Sequence, residues 1–212
     1  LEQKLNGLDR TTRDITGALI THSHFDHMNL ATVRKLTKEG IPLYSGHGVK
    51  ERAIEKLERG HRAAVKEHIR AFRSNEEFPV GDYSVTAFEV AHDSDGGCSG
   101  FEFKKAVHNG HRKIVYATDL AYPSRAVKKK FMDCDILFIE SDHDDGMLDE
   151  CAEIPEYIKE DHIRGYHISN AECCEILEDV LKKSQKVPEK IHLLHISETI
   201  NTEEKALAEC RN

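Results

Sequence analysis

Three imidazoles and a carboxylate fall within six positions in the stretch His22-Ser-His24-Phe-Asp26-His27. His22 and His24 alternate, as neighbours on one face of an extended strand end do. Asp26 and His27 follow in a turn, where the backbone can aim them at a second point. Ligand types grouped in this way suit two divalent metal ions sharing a water. Such a pair lowers the pKa of that water toward neutrality and clamps a leaving oxygen. Three further ligand-type residues each end an apolar run: His92 after SVTAFEVA, Asp119 after KIVYAT and His195 after KIHLL. Their shared position, just past a buried strand, allows all of them to converge on one sheet edge.

These residues need a scaffold. Ala18, Leu19 and Ile20 read as a buried strand, and Leu30, Val33 and Leu36 recur at helical spacing directly after the histidine cluster. The cluster therefore lies in a strand-to-helix turn, where open α/β sheets carry their chemistry. The same patterns predict strands over 16–21, 42–45, 83–91, 100–104, 113–117, 135–139 and 190–195. Helices are expected over 29–38, 47–57, 61–72, 124–132, about 149–161, 171–183 and 202–209. Two of these starts carry a capping-box pattern: Ser169 with Glu172, and Asn201 with Glu204. The strand–helix alternation places the chain in the α/β class.

The 212 residues suffice for one sizeable core and are read as a single domain over 1–212. A net charge of −8 argues against a protein whose whole surface binds nucleic acid, while leaving room for a local basic patch. Fourteen histidines, several beside acidic residues, are the compositional hint of metal. Six cysteines show no disulfide-framework spacing, so reduced thiols in a cytoplasmic protein are expected. No apolar run approaches membrane-spanning length and no signal peptide is visible. The chain opens without Met inside a helix-like LEQKLNGL, and an upstream piece is expected to be missing.

The order H-x-H-x-D-H, then His, then Asp, then His, resembles the metallo-β-lactamase superfamily over nearly the whole chain. The resemblance implies a four-layer αβ/βα sandwich, with the family's usual first strands absent here. It also implies a ligand set: His22, His24 and His92 for one metal, Asp26, His27 and His195 for the other, and Asp119 bridging both. Two divalent ions are expected, Zn first and Mn or Fe as other occupants, since His and carboxylate ligands alone do not choose between them.

Two further stretches narrow the resemblance. FIESDHDDGML (138–148) and RGYHISNAE (164–172) resemble the E-S-N-H-D and G-H-L-S-N segments of the YycJ/WalJ-like subgroup, regarded as 5′→3′ double-strand DNA exonucleases. The second is also similar to the H-S-T segment of tRNA 3′-processing endonucleases. The implied function is a phosphodiesterase or nuclease in which a hydroxide shared by the metals attacks phosphorus. Asp26 would orient or deprotonate it, His167 would assist the leaving alkoxide, and His143 would line the same mouth. This chain departs from the subgroup in having Asp142 for Asn and YHISN for GHLSN, and the acidic Asp142, Asp144 and Asp145 oppose a phosphate backbone. Basic candidates for backbone contact are Lys104, Lys105, Arg112, Lys113, Arg125, Lys128, Lys129 and Lys130. The expected partner is a phosphodiester, DNA among them, with no membrane, and with the oligomeric state open, a homodimer included. Two other readings stand beside it: a hydrolase of a small substrate (cyclic nucleotide, thioester or lactone), and a metal-binding interaction module without turnover.

Overall fold

The computed structural model describes residues 1–108 and 110–211. The described residues form two β-sheets, of three and six strands. It divides into two compact units, Leu1–Ala87 with Ser94–Ser99, and Phe88–Asp93 with Gly100–Asn212. Among the described residues, no helix is long and apolar enough to cross a membrane.

The first unit opens with α1 (Glu2–Asn6) and a 3-10 turn at Thr12–Asp14, closed by a capping box between Thr11 and Asp14. Strand β1 (Ala18–Ile20) leads through the histidine stretch to α2 (Leu30–Lys38), followed by β2 (Leu43–Gly46), α3 (His47–Lys56), α4 (Arg59–His68) and β3 (Ile69–Phe72). Asn29 caps α2: its Oδ1 accepts from the amides of Ala31 and Thr32 at 3.1 Å. The three strands are parallel in the order β1-β2-β3, with Ala18 opposite Leu43 and Leu43 opposite Ile69. Val33 and Leu36 of α2, Val49 and Ala53 of α3 and Val65 of α4 bury against Ile20, Leu43 and Ile69. Burial of these side chains, worth roughly 1.5–3 kcal/mol for each large aliphatic, holds the helices on the sheet.

The helix expected over 61–72 stops at His68, and its last four residues are β3. Ile69 and Phe72 are buried while Arg70 is exposed, and the Lys50 Nζ donates to the Ile69 carbonyl at 2.6 Å. Pairing with β2 overrides the helical charge pattern here. The edge strand β4 (Glu77–Val80) was not anticipated, because Pro79 reads as a strand breaker. It pairs antiparallel with the start of β5 (Tyr83–Val90) through a two-residue turn at Gly81 and Asp82, with Gly81 at φ +57°.

In the second unit the strand order runs from the end of β5 through β6 (Cys98–Val107), β7 (Gly110–Ala117), β8 (Ile136–Glu140) and β9 (Lys190–Leu194). Strands β6 and β7 are antiparallel, whereas β7, β8 and β9 are mutually parallel neighbours. The crossover to β8 carries α5 (Arg125–Phe131), capped by Ser124. The crossover to β9 carries α6 (Asp145–Glu150), α7 (Glu156–Ile158), a π-helical turn Lys159–Arg164 and α8 (Asn170–Lys183), and α9 (Glu203–Glu209) follows β9. The single helix expected over 149–161 is thus divided, with Pro155 at the N-cap of α7. The Ser169–Glu172 capping box is present. At α9 the cap is Thr202, not Asn201: the Thr202 Oγ1 accepts from the Lys205 amide at 3.2 Å. Asn201 is buried instead, its amide nitrogen donating to the carbonyls of Ser141 and Asp142 at 3.0 Å.

Packing of α8 with α9 brings Cys174 and Cys210 to a Cα separation of 5.2 Å, and they form a disulfide. This corrects the expectation of six reduced thiols; Cys134, Cys151 and Cys173 are free.

Candidate metal centre

The first unit holds His22, His24, Asp26 and His27 in the turn after β1. His22 is buried and Asp26 exposed. The His22 ring lies 4.7 Å from that of His24 and 4.2 Å from that of His27, centroid to centroid. Thr21 sits beneath two of them: its Oγ1 is 3.0 Å from His22 Nδ1 and 3.4 Å from His27 Nδ1. The Asp26 carboxylate lies 3.2 Å from His27 Nε2.

The turn is pinned at its middle. Ser23 Oγ donates to the Asp95 carbonyl at 2.8 Å, and Lys56 Nζ donates to the Ser23 carbonyl at 2.9 Å. Arg52 pairs with Asp95 and reaches Glu55 at 2.9 Å. The loop carrying Asp95 fits because Gly96, at φ +90°, lies directly against the backbone of Gly48 at the start of α3; a Cβ on Gly96 would stand 2.5 Å from the Gly48 carbonyl carbon. A histidine cluster is thereby attached to a helix rather than left on a free loop.

The second unit builds its cluster at the ends of its parallel strands. Asp119 follows β7, Glu140 ends β8 and His195 follows β9, so adjacency and common direction bring the three together. Glu140 is the hub. It is fully buried, and its two carboxylate oxygens accept from the amides of Asp119 at 3.1 Å and Leu120 at 3.0 Å. His167 Nδ1 lies 2.8 Å and His195 Nδ1 2.9 Å from the same Oε1. Asp119 and His195 both have left-handed backbones, φ 54° and 55°, which for residues with a Cβ costs about 1–2 kcal/mol. Strain of this kind collects where a side chain must be aimed. The His167 ring stacks on His195 at 5.2 Å and meets His92 edge-on at 5.0 Å.

Charge explains the protonation of this cluster. Burial alone would raise the Glu140 carboxyl, but hydrogen bonds from His167 and His195 outweigh it and hold the group below the usual carboxylate value. Burial would lower His195; hydrogen bonds to Asp142 and Glu140 and the charge of Asp119 instead push it up to about 11. Asp142, 8% exposed, is held down to about 2: hydrogen bonds from His143 and His195 outweigh its burial.

The donor set fits a divalent cation. One ligand-type atom from each of Asp119, Glu140, His167 and His195 lies within 4.8 Å of all the others. Three carboxylates (Asp119, Glu140 and Asp142) are buried around two histidines, an excess of negative charge out of water that calls for added positive charge. Imidazole and carboxylate are the ligand types of catalytic Zn and Mn sites.

Of the residues singled out in the sequence, the structure thus brings together His22, His24, Asp26 and His27 in one unit, and His92, Asp119, His167 and His195 in the other. His143 is buried at 1% exposure behind Asp142, with Nδ1 3.3 Å from Asp142 and Nε2 3.7 Å from Asp145. Glu140 was overlooked as a site residue. Its signal was the one that exposed Asp119, an acidic residue ending a buried apolar run. Several basic candidates are engaged internally: Lys104 and Lys113 pair with Glu102 at 2.8 and 3.4 Å, and Arg112 with Glu189 at 2.8 Å.

Residues 1–196 match the family model described as the beta-lactamase superfamily domain. The chain is 29% identical to an exodeoxyribonuclease YycJ of Bacillus anthracis, over 91% of this chain and 68% of that protein. It is 26% identical to an exodeoxyribonuclease WalJ of Streptococcus pneumoniae, over 94% of this chain and 70% of that protein. Among solved structures, the metallo-beta-lactamase fold protein YhfI from Bacillus subtilis superposes with a TM-score of 0.68 at 16% identity, covering 99% of this chain and 75% of that one. With its strand-end ligand clusters, this chain belongs to the β-lactamase superfamily and is a hydrolase of metallo-β-lactamase fold.

Proposed function

We propose that the protein is a metal-dependent phosphodiesterase acting on nucleic acid, an exodeoxyribonuclease in the manner of the YycJ and WalJ relatives. The observation that carries this reading is the convergence of Asp119, Glu140 and His195, at the ends of three parallel strands, with His167 from the segment before α8, in a chain similar to two named exodeoxyribonucleases. Small-ester hydrolysis has no comparable support.

His22, His24 and His92 are assigned to one ion, Asp26, His27 and His195 to a second, and Asp119 to both, as the superfamily pattern implies. When bound, the two ions supply Lewis acidity to the phosphoryl oxygens and a water acidified toward neutrality. The remaining work falls to the side chains. Asp26, exposed and 3.2 Å from His27, orients the attacking water and accepts its proton. Glu140 fixes the His167 ring through Nδ1, which leaves Nε2 as the nitrogen directed at the substrate. From Nε2 a proton passes to the departing alkoxide, a poor leaving group whose departure an acid assists. His143 acts through Asp142, whose other carboxylate oxygen lies 3.5 Å from His195, as a positioning residue.

Hydrolysis of bis-p-nitrophenyl phosphate by the Zn- or Mn-reconstituted protein, beside a thioester and a lactone, tests the reading. Diester turnover that disappears in Asp119→Ala supports it. Turnover of the thioester or lactone alone moves the protein to the small-ester hydrolases, and turnover of none favours the interaction module.

A further inference from the structure

Three residues after Asp119, the second unit opens a cavity of about 560 Å³ between α5 and α8. Its walls are Tyr122, Arg125, Lys128, Lys129, Asp179 and Lys183. Four cations face one carboxylate in a chain whose net charge is −8, so positive charge is gathered here against the trend of the molecule. The cations differ in freedom. Lys128 is held, its Nζ 3.1 Å from the Tyr122 hydroxyl, 4.5 Å from that ring's centroid and 3.9 Å from Asp179. Lys183 pairs with Asp179. Arg125 and Lys129 are exposed and form no ion pair among the described residues.

Arg125 and Lys129 stand one turn apart on the same face of α5, about 6 Å between Cβ atoms. Two cations at this spacing can take successive phosphates of one strand. Tyr122, half of whose surface is exposed, adds an aromatic wall of the kind on which nucleobases and sugars pack. The chain from Asp119 to Tyr122 spans at most about 11 Å, so the Tyr122 wall of the cavity lies within that reach of the end of β7. The lysines and arginine on β6 and β7 that pair with Glu102 and Glu189 are not available for the same task.

We propose that this cavity is a subsite for backbone phosphates of a nucleic-acid strand, with Arg125 and Lys129 as its principal contacts. The assignment rests on the nuclease reading above and gives it a track for the strand beside the cleavage centre.

The test is equilibrium binding of a fluorescently labelled oligonucleotide, single-stranded and duplex, over a series of salt concentrations. EDTA keeps hydrolysis out of the measurement. Arg125→Glu/Lys129→Glu is compared with wild type and with Lys38→Glu/Lys66→Glu, which makes the same change in net charge on exposed lysines of the first unit. Arg125→Gln/Lys129→Gln, which adds no negative charge, guards against a misfolded variant. The subsite variants are expected to bind at least about tenfold more weakly at moderate salt, with the slope of log K against log salt shallower by roughly 1.5, the release of two phosphate contacts. The control pair should move neither quantity. Unchanged affinity and slope in the subsite variants, an equal fall in the control pair, or no binding by wild type would overturn the proposal. Binding with the expected slope but no cleavage on adding Zn or Mn would count against the nuclease reading and leave the subsite standing.

Discussion

Glu140→Gln changes almost no volume but removes a buried charge on which two histidines and three backbone amides depend. The Glu140 carboxylate is fully buried, and both its oxygens accept hydrogen bonds: Oε1 from Asp119 N and His167, Oε2 from Leu120 N and Ile168 N. A glutamine has one accepting oxygen, so its NH2 group must face either the Leu120 and Ile168 amides or the Asp119 and His167 donors. At least one buried donor is left facing another donor, costing about 1–3 kcal/mol, and the charge-assisted bonds to the imidazoles weaken by a similar amount. The total is roughly 3 kcal/mol. For a chain of this size that corresponds to a fall in Tm of about 6–12 °C. The loss should appear in EDTA-treated protein followed by circular dichroism, since it originates in the protein's own hydrogen bonds. Metal affinity, measured separately by competition with a chromophoric chelator, should fall about 10–100-fold, as for other residues that orient metal ligands. A metal-free variant melting within 2 °C of wild type (an allowance of about 1 kcal/mol) would refute the role given to Glu140.

Other perturbations reach separate parts of the account. Gly96→Ala places a Cβ against the Gly48 backbone at a left-handed φ, so it should cost at least about 2 kcal/mol and weaken metal retention by His22, His24 and His27; a variant as stable as wild type in urea would show that the loop is not pinned there. Cys174 and Cys210 close a 36-residue separation, so reduction with dithiothreitol should cost about 4 kcal/mol on the chain-entropy estimate and lower Tm by roughly 8–15 °C. A melting curve indifferent to reductant would contradict the crosslink. Burial pushes the Cys173 thiol up to about 12 and that of Cys134 to about 11. Both thiols should therefore resist iodoacetamide in the native protein at mildly alkaline pH while the partly exposed Cys151 reacts, and peptide mapping that found Cys173 alkylated first would reverse that order.

The site was more legible than the scaffold, for a physical reason. A buried parallel strand is a short apolar run, and a ligand must stand just past its end, so β1, β5, β7 and β9 announce His22, His92, Asp119 and His195 by local pattern alone. Glu140 obeys the same rule at the end of β8, but Asp142 and His143 stand close behind it and mask its signal. Features decided by distant contacts were hidden. Strand β3 is four residues whose identity depends on pairing with β2, and β4 is an edge strand that tolerates Pro79 only because its partner lies on one side. The cap of α9 passed to Thr202 because Asn201 is drawn into a buried network with Ser141 and Asn170. The Cys174–Cys210 crosslink follows from the packing of α8 on α9, which spacing in the chain does not encode.

The most direct test of the central claim is digestion of end-labelled DNA by the purified protein reconstituted with Zn or Mn. EDTA-treated protein and Asp119→Ala run alongside. The account predicts progressive shortening of the labelled strand that requires metal and is abolished by the substitution. Intact DNA under reconstituted conditions, or degradation that persists in Asp119→Ala, would contradict it.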